Sequence, residues 1–139
     1  MPDIGLTHVA LTVSDTEASA EFYATYADME IVHRRSAEDS EGDVLWISDG
    51  TRPFVIVLLP GPVEFRLGAM NHLGVGCASR EEVDRRLSQA QDEGRNVIGP
   101  MDYGYPVGYW GIIEDPDGHS LEVAFGQEVG LTVEDATSD

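Results

Sequence analysis

Two histidines and one glutamate occupy matching places in strand-like stretches of this sequence. His8 stands in IGLTHVALTV, His72 in MNHLGVGCA and Glu122 in SLEVAF. Successive side chains of a strand point to opposite faces, and each of these three shares its face with mostly small neighbours. Two imidazoles and one carboxylate are a recurring ligand set for nonheme Fe(II) and for catalytic Zn²⁺. The pattern therefore predicts a divalent-metal site.

Each of the three residues also has an ordinary structural interpretation. A strand histidine can be satisfied by hydrogen bonds, and a glutamate can lie at an exposed sheet edge. The metal interpretation is favoured because a carboxylate within an apolar run is costly to bury without a cation. His119 stands close to Glu122 in EDPDGHSLEV, but it alternates away from Glu122 along the chain. We interpret His119 as a turn residue.

The elements that must position these residues occur twice along the chain. Each half reads as one strand, one helix and three further strands, and a linker rich in Pro and Gly separates the halves at 60–69. This order predicts an α+β fold of two βαβββ modules, residues 1–65 and 66–126, forming a cupped mixed β-sheet with the helices outside. The acidic tail, residues 127–139, is expected to be disordered or to form a short extra element.

Helix boundaries are marked by the same signal in both halves. Ser14 with Glu17, and Ser79 with Glu82, match the Ser-x-x-Glu pattern of a capping box at a helix N-terminus. His8 and His72 precede these boxes by nearly the same interval. Gly94 is expected just beyond the end of the second helix.

The charge balance excludes several classes of partner. The chain has 26 acidic and 8 basic residues, a net charge of −18, and every basic residue is Arg. Such a surface repels nucleic acid and anionic membranes. No basic leader precedes the first apolar stretch, so we expect a cytoplasmic protein. An acidic, Lys-free surface suits a high-salt cytoplasm; an acidic protein with an Arg bias is the other interpretation.

Several stretches resemble the vicinal oxygen chelate superfamily, which includes glyoxalase I, bleomycin and fosfomycin resistance proteins and extradiol dioxygenases. They are THVALTVSDTEASAEFYATYADMEIV, MNHLGVGC and DPDGHSLEV, in the setting of the βαβββ repeat. The resemblance implies that His8, His72 and Glu122 hold one divalent ion, Fe²⁺, Mn²⁺, Zn²⁺ or Ni²⁺. It also implies a homodimer with sites near the interface and a small oxygen-chelating substrate.

One position departs from the members that use four protein ligands. Those members carry Glu or Gln in the fourth strand, and aligning DGTRPFVIV with PDGHSLEV puts Ile56 at that place. An isoleucine cannot bind a metal, so a three-ligand site is expected.

A loop rich in Gly, Tyr and Trp, GPMDYGYPVGYWG, overlies the metal in the superfamily. Tyr103 and Tyr109 are candidate acid–base catalysts, since a phenol can exchange a proton. Trp46, Tyr105 and Trp110 are candidates for binding an apolar or aromatic substrate. Ordinary packing of the loop is the alternative.

Two functions follow from these observations. The first is a metal-dependent enzyme of lyase, isomerase or dioxygenase type. The second is a non-catalytic protein of the same fold that binds or sequesters a small molecule such as an antibiotic.

Overall fold

The structure is a computed structural model that describes residues 5–37, 42–68 and 70–138. The chain divides into two compact units, residues 1–66 and 67–139. Each unit is built from a four-stranded mixed sheet. Within the described ranges, no helix is long and apolar enough to cross a membrane.

Unit 1 contains four strands and one helix: β1 (His8–Val13), α1 (Thr16–Ala27), β2 (Glu30–Ser36), β3 (Asp43–Ser48) and β4 (Val55–Pro60). The strand order is β1-β4-β3-β2, and β1 runs parallel to β4 while the other pairs are antiparallel. Parallel pairing of β1 and β4 brings the first and last strands of the module to neighbouring positions.

Unit 2 repeats this arrangement and adds one helix: β5 (His72–Gly76), α2 (Arg80–Asp92), β6 (Val97–Asp102), β7 (Tyr109–Glu114), β8 (Ser120–Phe125) and α3 (Val129–Thr137). The strand order is β5-β8-β7-β6, with β5 parallel to β8. The predicted α+β class with two βαβββ modules is confirmed. Part of the acidic tail forms the helix α3.

Alternation along β1 places core residues on one face of the strand and the candidate ligand His8 on the other. Leu11 and Val13 are buried, whereas His8 and Ala10 are exposed on the other side. Helix α1 contributes a cluster of buried aromatic rings to the core, with Phe22 packed edge-to-face on Tyr23 at 5.0 Å. One sheet face is thus filled by the helix, and the other face remains for the candidate site.

The first predicted helix cap is wrong by one residue. Helix α1 is capped by Asp15, whose Oδ1 accepts a hydrogen bond from the Ala18 N–H at 3.1 Å. Glu17 does not complete a capping box with Ser14, because its carboxylate forms an ion pair with Arg34 of β2. An aspartate directly after the serine offers an equally good cap and makes Ser14 dispensable for this role.

The second helix begins and ends as predicted. The Ser79 hydroxyl accepts from the Glu82 N–H at 3.1 Å, and Gly94 follows the helix with φ of +80°. The Glu82 side chain turns to Arg85 and Arg86, where it accepts hydrogen bonds from the two Nε–H groups at 2.9 Å and 2.8 Å. Arg86 is buried, so Glu82 also neutralises a cation within the packed side of α2.

Glu82→Gln should lower the free energy of unfolding at pH 7 by about 1–2 kcal/mol. Hydrogen bonds from Arg85 first, and then Arg86, lower the pKa of Glu82 from 4.5 to about 2. A depressed carboxylate pKa stabilises the protein above pH 4.5, and this contribution is lost as the pH falls towards 2. Urea unfolding should therefore show a difference in unfolding free energy between wild type and Glu82→Gln that is smaller near pH 3 than at pH 7.

Glu81→Gln is the matched control for this comparison, because Glu81 is the exposed neighbour of Glu82 on the same turn. It should change stability by less than about 0.5 kcal/mol. An equal loss of unfolding free energy in Glu82→Gln and Glu81→Gln would contradict the stabilising role assigned to the hydrogen bonds from Arg85 and Arg86.

Candidate metal centre and substrate cavity

His72 and Glu122 lie together on one face of the unit 2 sheet. In the parallel pair β5–β8, Gly74 is aligned with Glu122, and His72 precedes Gly74 by two residues on the same face. His72 Nε2 lies 3.9 Å from Glu122 Oε1. Glu122 is only 8% exposed, while one third of the His72 side chain, 33%, is open to solvent. The pair thus combines a buried carboxylate with an accessible imidazole.

Gln127 fixes the orientation of the Glu122 carboxylate. Its Nε2 donates to Glu122 Oε2 at 3.3 Å and also lies 3.3 Å from the carbonyl oxygen of Val107. One carboxylate oxygen is therefore held by an amide, and the other faces His72. Sequence reasoning missed Gln127 because it assigned residues 127–139 to a tail; a glutamine after a strand carries no signal of this contact.

Gln127→Ala should weaken Mn²⁺ binding about tenfold, because residues that orient a ligand typically contribute 10–100-fold to metal affinity. The dissociation constant from calorimetric titration of the purified chain with Mn²⁺ measures this effect. Gln91→Ala, at an exposed glutamine of α2, is the control and should leave the affinity unchanged. Equal affinities for Gln127→Ala and wild type would show that the amide does not support a ligand.

The geometry of the pair fits a divalent ion after a small adjustment. Two ligand atoms at about 2.1 Å from a metal, at right angles to each other, are about 3 Å apart. The observed 3.9 Å between His72 Nε2 and Glu122 Oε1 is about 1 Å longer, so the two atoms would have to approach each other to bind one ion. Among the residues that the structure describes, no group of three His, Cys, Asp or Glu side chains is placed to hold a metal. His72 and Glu122 are thus two candidate ligands within unit 2.

His8 belongs to unit 1, where it lines a cavity of about 410 Å³. Its Nδ1 lies 2.9 Å from the Thr7 hydroxyl, so Nε2 is the ring nitrogen left to face a metal. Trp46, a predicted substrate-binding residue, lines the same cavity and is 38% exposed. The structure thus brings one predicted ligand and one predicted binding residue together in unit 1.

The place of Glu122 is taken in unit 1 by Val57, not by Ile56 as the sequence alignment predicted. In unit 2, His72 is aligned with Ser120, and Glu122 follows Ser120 by two residues. In unit 1, His8 is aligned with Val55, and Val57 follows Val55 by two residues. Ile56 is aligned with Val9 on the core face and is 4% exposed. Valine is no more a ligand than isoleucine, so this unit offers an apolar wall where unit 2 offers a carboxylate.

Tyr109 lies on the opposite sheet face from Glu122. Ile112 is aligned with Glu122 across β7 and β8, so these two share a face. Tyr109 lies on the other face, together with Gly111, two residues along the strand. That face packs on α2, since a Cβ added at Gly111 would lie 2.5 Å from Leu87. The Tyr109 hydroxyl donates to Asp84 of α2. This hydrogen bond, followed by desolvation, raises the pKa of Tyr109. These contacts place Tyr109 against the helix and not beside the His72–Glu122 pair.

Tyr103 and Trp110 lie together in an edge-to-face contact with ring centroids 5.3 Å apart. Trp110 is aligned with Ala124, which lies on the same face of the sheet as Glu122. Tyr103 is 64% exposed and Tyr105 is 70% exposed. Trp110 and Tyr103 thus border the face that carries the carboxylate, and the Tyr103 hydroxyl has a long contact, 4.0 Å, with Met101 Sδ.

His119 is a buried residue of the turn before β8, as its assignment to the turn predicted. It is 2% exposed, its Nδ1 accepts from the Leu67 N–H at 2.9 Å, and its own N–H donates to Asp115 Oδ1 at 2.9 Å. The bond from Leu67 joins the start of unit 2 to this turn, and the bond to Asp115 lies within the turn, so His119 stabilises the turn.

The chain matches, over residues 5–123, the family described as Glyoxalase/Bleomycin resistance protein/Dioxygenase superfamily. It is 35% identical over 129 residues to protein PA2024 of Pseudomonas aeruginosa, covering 90% of this chain and 91% of that protein. It is 26% identical over 126 residues to a probable lactoylglutathione lyase of Synechocystis sp., covering 85% of this chain and 92% of the relative.

Solved structures show the same fold. The fosfomycin resistance protein FosX from Listeria monocytogenes, crystallised with Mn(II) and sulfate, superposes with a TM-score of 0.72 at 18% identity, over 97% of this chain and 99% of its own. TnmS3, an antibiotic binding protein from a Streptomyces species, superposes with a TM-score of 0.67 at 21% identity, over 90% of this chain and 98% of its own. At these identities the likeness concerns the fold.

Proposed function

The chain belongs to the glyoxalase/bleomycin resistance protein/dioxygenase superfamily, and from this premise we propose that it is a divalent-metal-dependent enzyme. Its substrate would be a small organic molecule with two oxygens able to chelate the ion, and its reaction of lyase, isomerase or dioxygenase type. The observation that carries this proposal is the His72–Glu122 pair, with its carboxylate held by Gln127.

The proposed ligands are His8, His72 and Glu122. Two neutral imidazoles and one carboxylate leave open positions on a divalent ion for substrate oxygens. Since unit 1 supplies one ligand and unit 2 supplies two, the three would come from one chain or from both chains of a homodimer, which is the assembly we propose. A small molecule is the proposed partner, in a cytoplasmic setting.

The bound ion would supply Lewis-acid stabilisation of a developing oxyanion, or O₂ activation if it is iron. The chain's own residues would perform the other tasks. We assign the acid–base role to Tyr103, because its side chain is exposed beside Trp110 and its hydroxyl has only a long contact with Met101 Sδ, 4.0 Å, whereas the Tyr109 hydroxyl donates to Asp84. Trp110 and Tyr105 would cover the substrate, and Trp46 would contact its apolar part.

Among the candidate ions, Fe²⁺, Mn²⁺, Zn²⁺ and Ni²⁺, Mn²⁺ is the first to test. A protein of the same fold, FosX, was crystallised with Mn(II). The hard carboxylate of Glu122 beside imidazole nitrogens is compatible with this ion.

A binding or sequestering function is the second candidate. It is favoured by the unit 1 cavity, where Val57 stands in place of a ligand and Trp46 and Phe54 supply aromatic surface. Such a cavity can hold an apolar molecule without transforming it, and an antibiotic binding protein shares the fold.

Metal analysis of tag-free protein, followed by activity assays, tests the proposal. We expect one bound divalent ion per chain, and either oxygen uptake with catechols or turnover of a glutathione hemithioacetal. Tight binding of such compounds without turnover would favour the sequestering function. Purified chain that neither contains nor takes up a divalent ion would contradict the metal-dependent enzyme.

A further inference from the structure

Six of the ten residues that line the unit 1 cavity are apolar. The cavity lies on the sheet face away from α1, and its walls include Val32, Trp46, Phe54, Val55 and Val57. Its volume of about 410 Å³ falls in the range of pockets that hold small organic molecules. The other four lining residues are polar, and one of them carries a full positive charge.

That charged group is Arg52, in the turn between β3 and β4. Five of the eight arginines form ion pairs with carboxylates, namely Arg34, Arg80, Arg85, Arg86 and Arg95. Arg52 Nε has only a long contact with the Thr51 hydroxyl, 3.4 Å, and within the described ranges no carboxylate lies at ion-pair distance from its guanidinium.

Asp49, in the same turn, is hydrogen-bonded to Thr51, and these bonds, followed by the charge of Arg52, lower the pKa of Asp49. It accepts hydrogen bonds from the Thr51 hydroxyl at 2.6 Å and from the Thr51 N–H at 3.0 Å. Arg52 thus interacts with Asp49 through its charge but forms no ion pair with it, at the wall of a mainly apolar cavity in a chain of net charge −18. Its side chain is exposed, so the guanidinium is accessible to an anion that enters the cavity.

We propose that this cavity binds a small organic anion whose aromatic or branched aliphatic body lies against Trp46 and Phe54, and whose head, a carboxylate or phosphonate, pairs with Arg52. A planar guanidinium can bind such a head through two parallel N–H···O bonds. The inference rests on the proposed function in one respect: His8 lines the same cavity, so the anion would be the enzyme's substrate. It narrows the substrate class from any oxygen chelator to a compound with one anionic end.

The overall charge of the chain favours a ligand with a single anionic group over a polyanion. A net charge of −18 disfavours polyanions at long range, whereas a single anionic head meets one local guanidinium. The apolar walls contribute affinity in proportion to the area they cover. A compound with one charge and a large apolar body satisfies both conditions.

The fluorescence of Trp46 offers a direct test. The chain has two tryptophans, so every protein in this test carries Trp110→Phe, which leaves Trp46 as the single reporter, and affinities are compared only within this background because Trp110 is itself a proposed substrate contact. Metal-free full-length protein is titrated with 4-phenylbutanoate, with 4-phenylbutylphosphonate and with the neutral 4-phenylbutanamide. We expect at least one anion to bind about tenfold more tightly than the amide, and the two anions distinguish a carboxylate from a phosphonate head.

Arg52→Gln should remove this preference and leave the amide affinity unchanged, whereas Arg66→Gln, at an exposed arginine that does not line the cavity, should preserve it. Arg52→Lys should retain part of the preference. Equal binding of anions and amide to the Trp110→Phe protein, or a preference that survives Arg52→Gln, would overturn the inference. Absence of any binding, with Trp46 emission that changes with protein concentration, would also overturn it and would assign the cavity to a second copy of the chain.

The metal and anion results are separable. Glu122→Gln lies in unit 2, and it should preserve the anion preference in metal-free protein. Anion binding in a chain that takes up none of the four candidate divalent ions would contradict the proposed enzyme and support the cavity assignment. Mn²⁺ uptake without any anion preference would leave the enzyme standing and overturn the cavity assignment.

Discussion

Glu122→Ala should reduce affinity for Mn²⁺ by at least about a hundredfold, because it removes an anionic ligand and not only a residue that orients one. The remaining side chain of the pair, His72, offers a single neutral nitrogen. A ligand that binds only the folded state stabilises it by about 2.7 kcal/mol at a concentration of 100 times its Kd. Wild type should therefore gain thermal stability with added Mn²⁺, and the variant should gain none.

The metal-free form of this variant supplies a second readout. Glu122 is buried at 8% exposure, and a buried carboxylate costs free energy when no cation compensates it. Without metal, the variant should therefore unfold close to the wild-type temperature, although a cavity has been made. Glu21→Ala, at an exposed glutamate of α1, removes the same charge and should leave the Mn²⁺ response intact. Equal Mn²⁺ stabilisation of wild type and Glu122→Ala would contradict the role of the carboxylate.

Gly108→Ala should destabilise the protein by about 3 kcal/mol or more, the largest effect expected for any single methyl group added to this loop. Gly108 has φ of +86°, and a Cβ there would lie 2.4 Å from the Phe125 carbonyl oxygen and 2.9 Å from the Gln127 nitrogen. These contacts are with backbone, which cannot rotate away as a side chain can. Chemical denaturation measures the loss.

The same substitution should weaken metal binding, because it pushes on the segment that carries Gln127. The carbonyl oxygen of Val107 and the carboxylate of Glu122 are both joined to the Gln127 amide, so a shift of this segment changes the orientation of the carboxylate. Gly104→Ala is the matched control: it has φ of +69° in the same loop, but nothing lies within 4 Å of its added Cβ. Gly104→Ala should lower the free energy of unfolding by about 1 kcal/mol. A similar loss for Gly104→Ala and Gly108→Ala would contradict the close backbone contact at Gly108.

Strand alternation predicted most of what positions the site. The faces of β1, β5 and β8 could be read from the sequence because branched residues such as Leu11 and Val123 alternate with His8 and Glu122. The cap at Ser79 was readable because its partners lie within one turn. The face of Tyr109 relative to Glu122 was not readable in this way, because it depends on the strand register that aligns Ile112 with Glu122.

The remaining features depend on contacts that a linear pattern does not contain. The alignment chose Ile56 over Val57 because the turns before β4 and β8 differ, and only the register of paired strands settles which residue faces the cavity. The contact of Gln127 with Glu122 follows from the path of the chain after β8. Which arginines of the described ranges form ion pairs, and that Arg52 forms none, depends on three-dimensional contacts that no local motif encodes.

Pulsed electron paramagnetic resonance of the Mn²⁺-loaded protein tests the proposed ligand set most directly, since it counts the histidine nitrogens coupled to the ion. We expect two coupled imidazoles in wild type, and one in His8→Ala and in His72→Ala. We expect folded His119→Ala to keep both, because His119 is bonded to Leu67 and Asp115. Bound Mn²⁺ with no coupled imidazole, or with couplings that survive both His8→Ala and His72→Ala, would contradict the metal site.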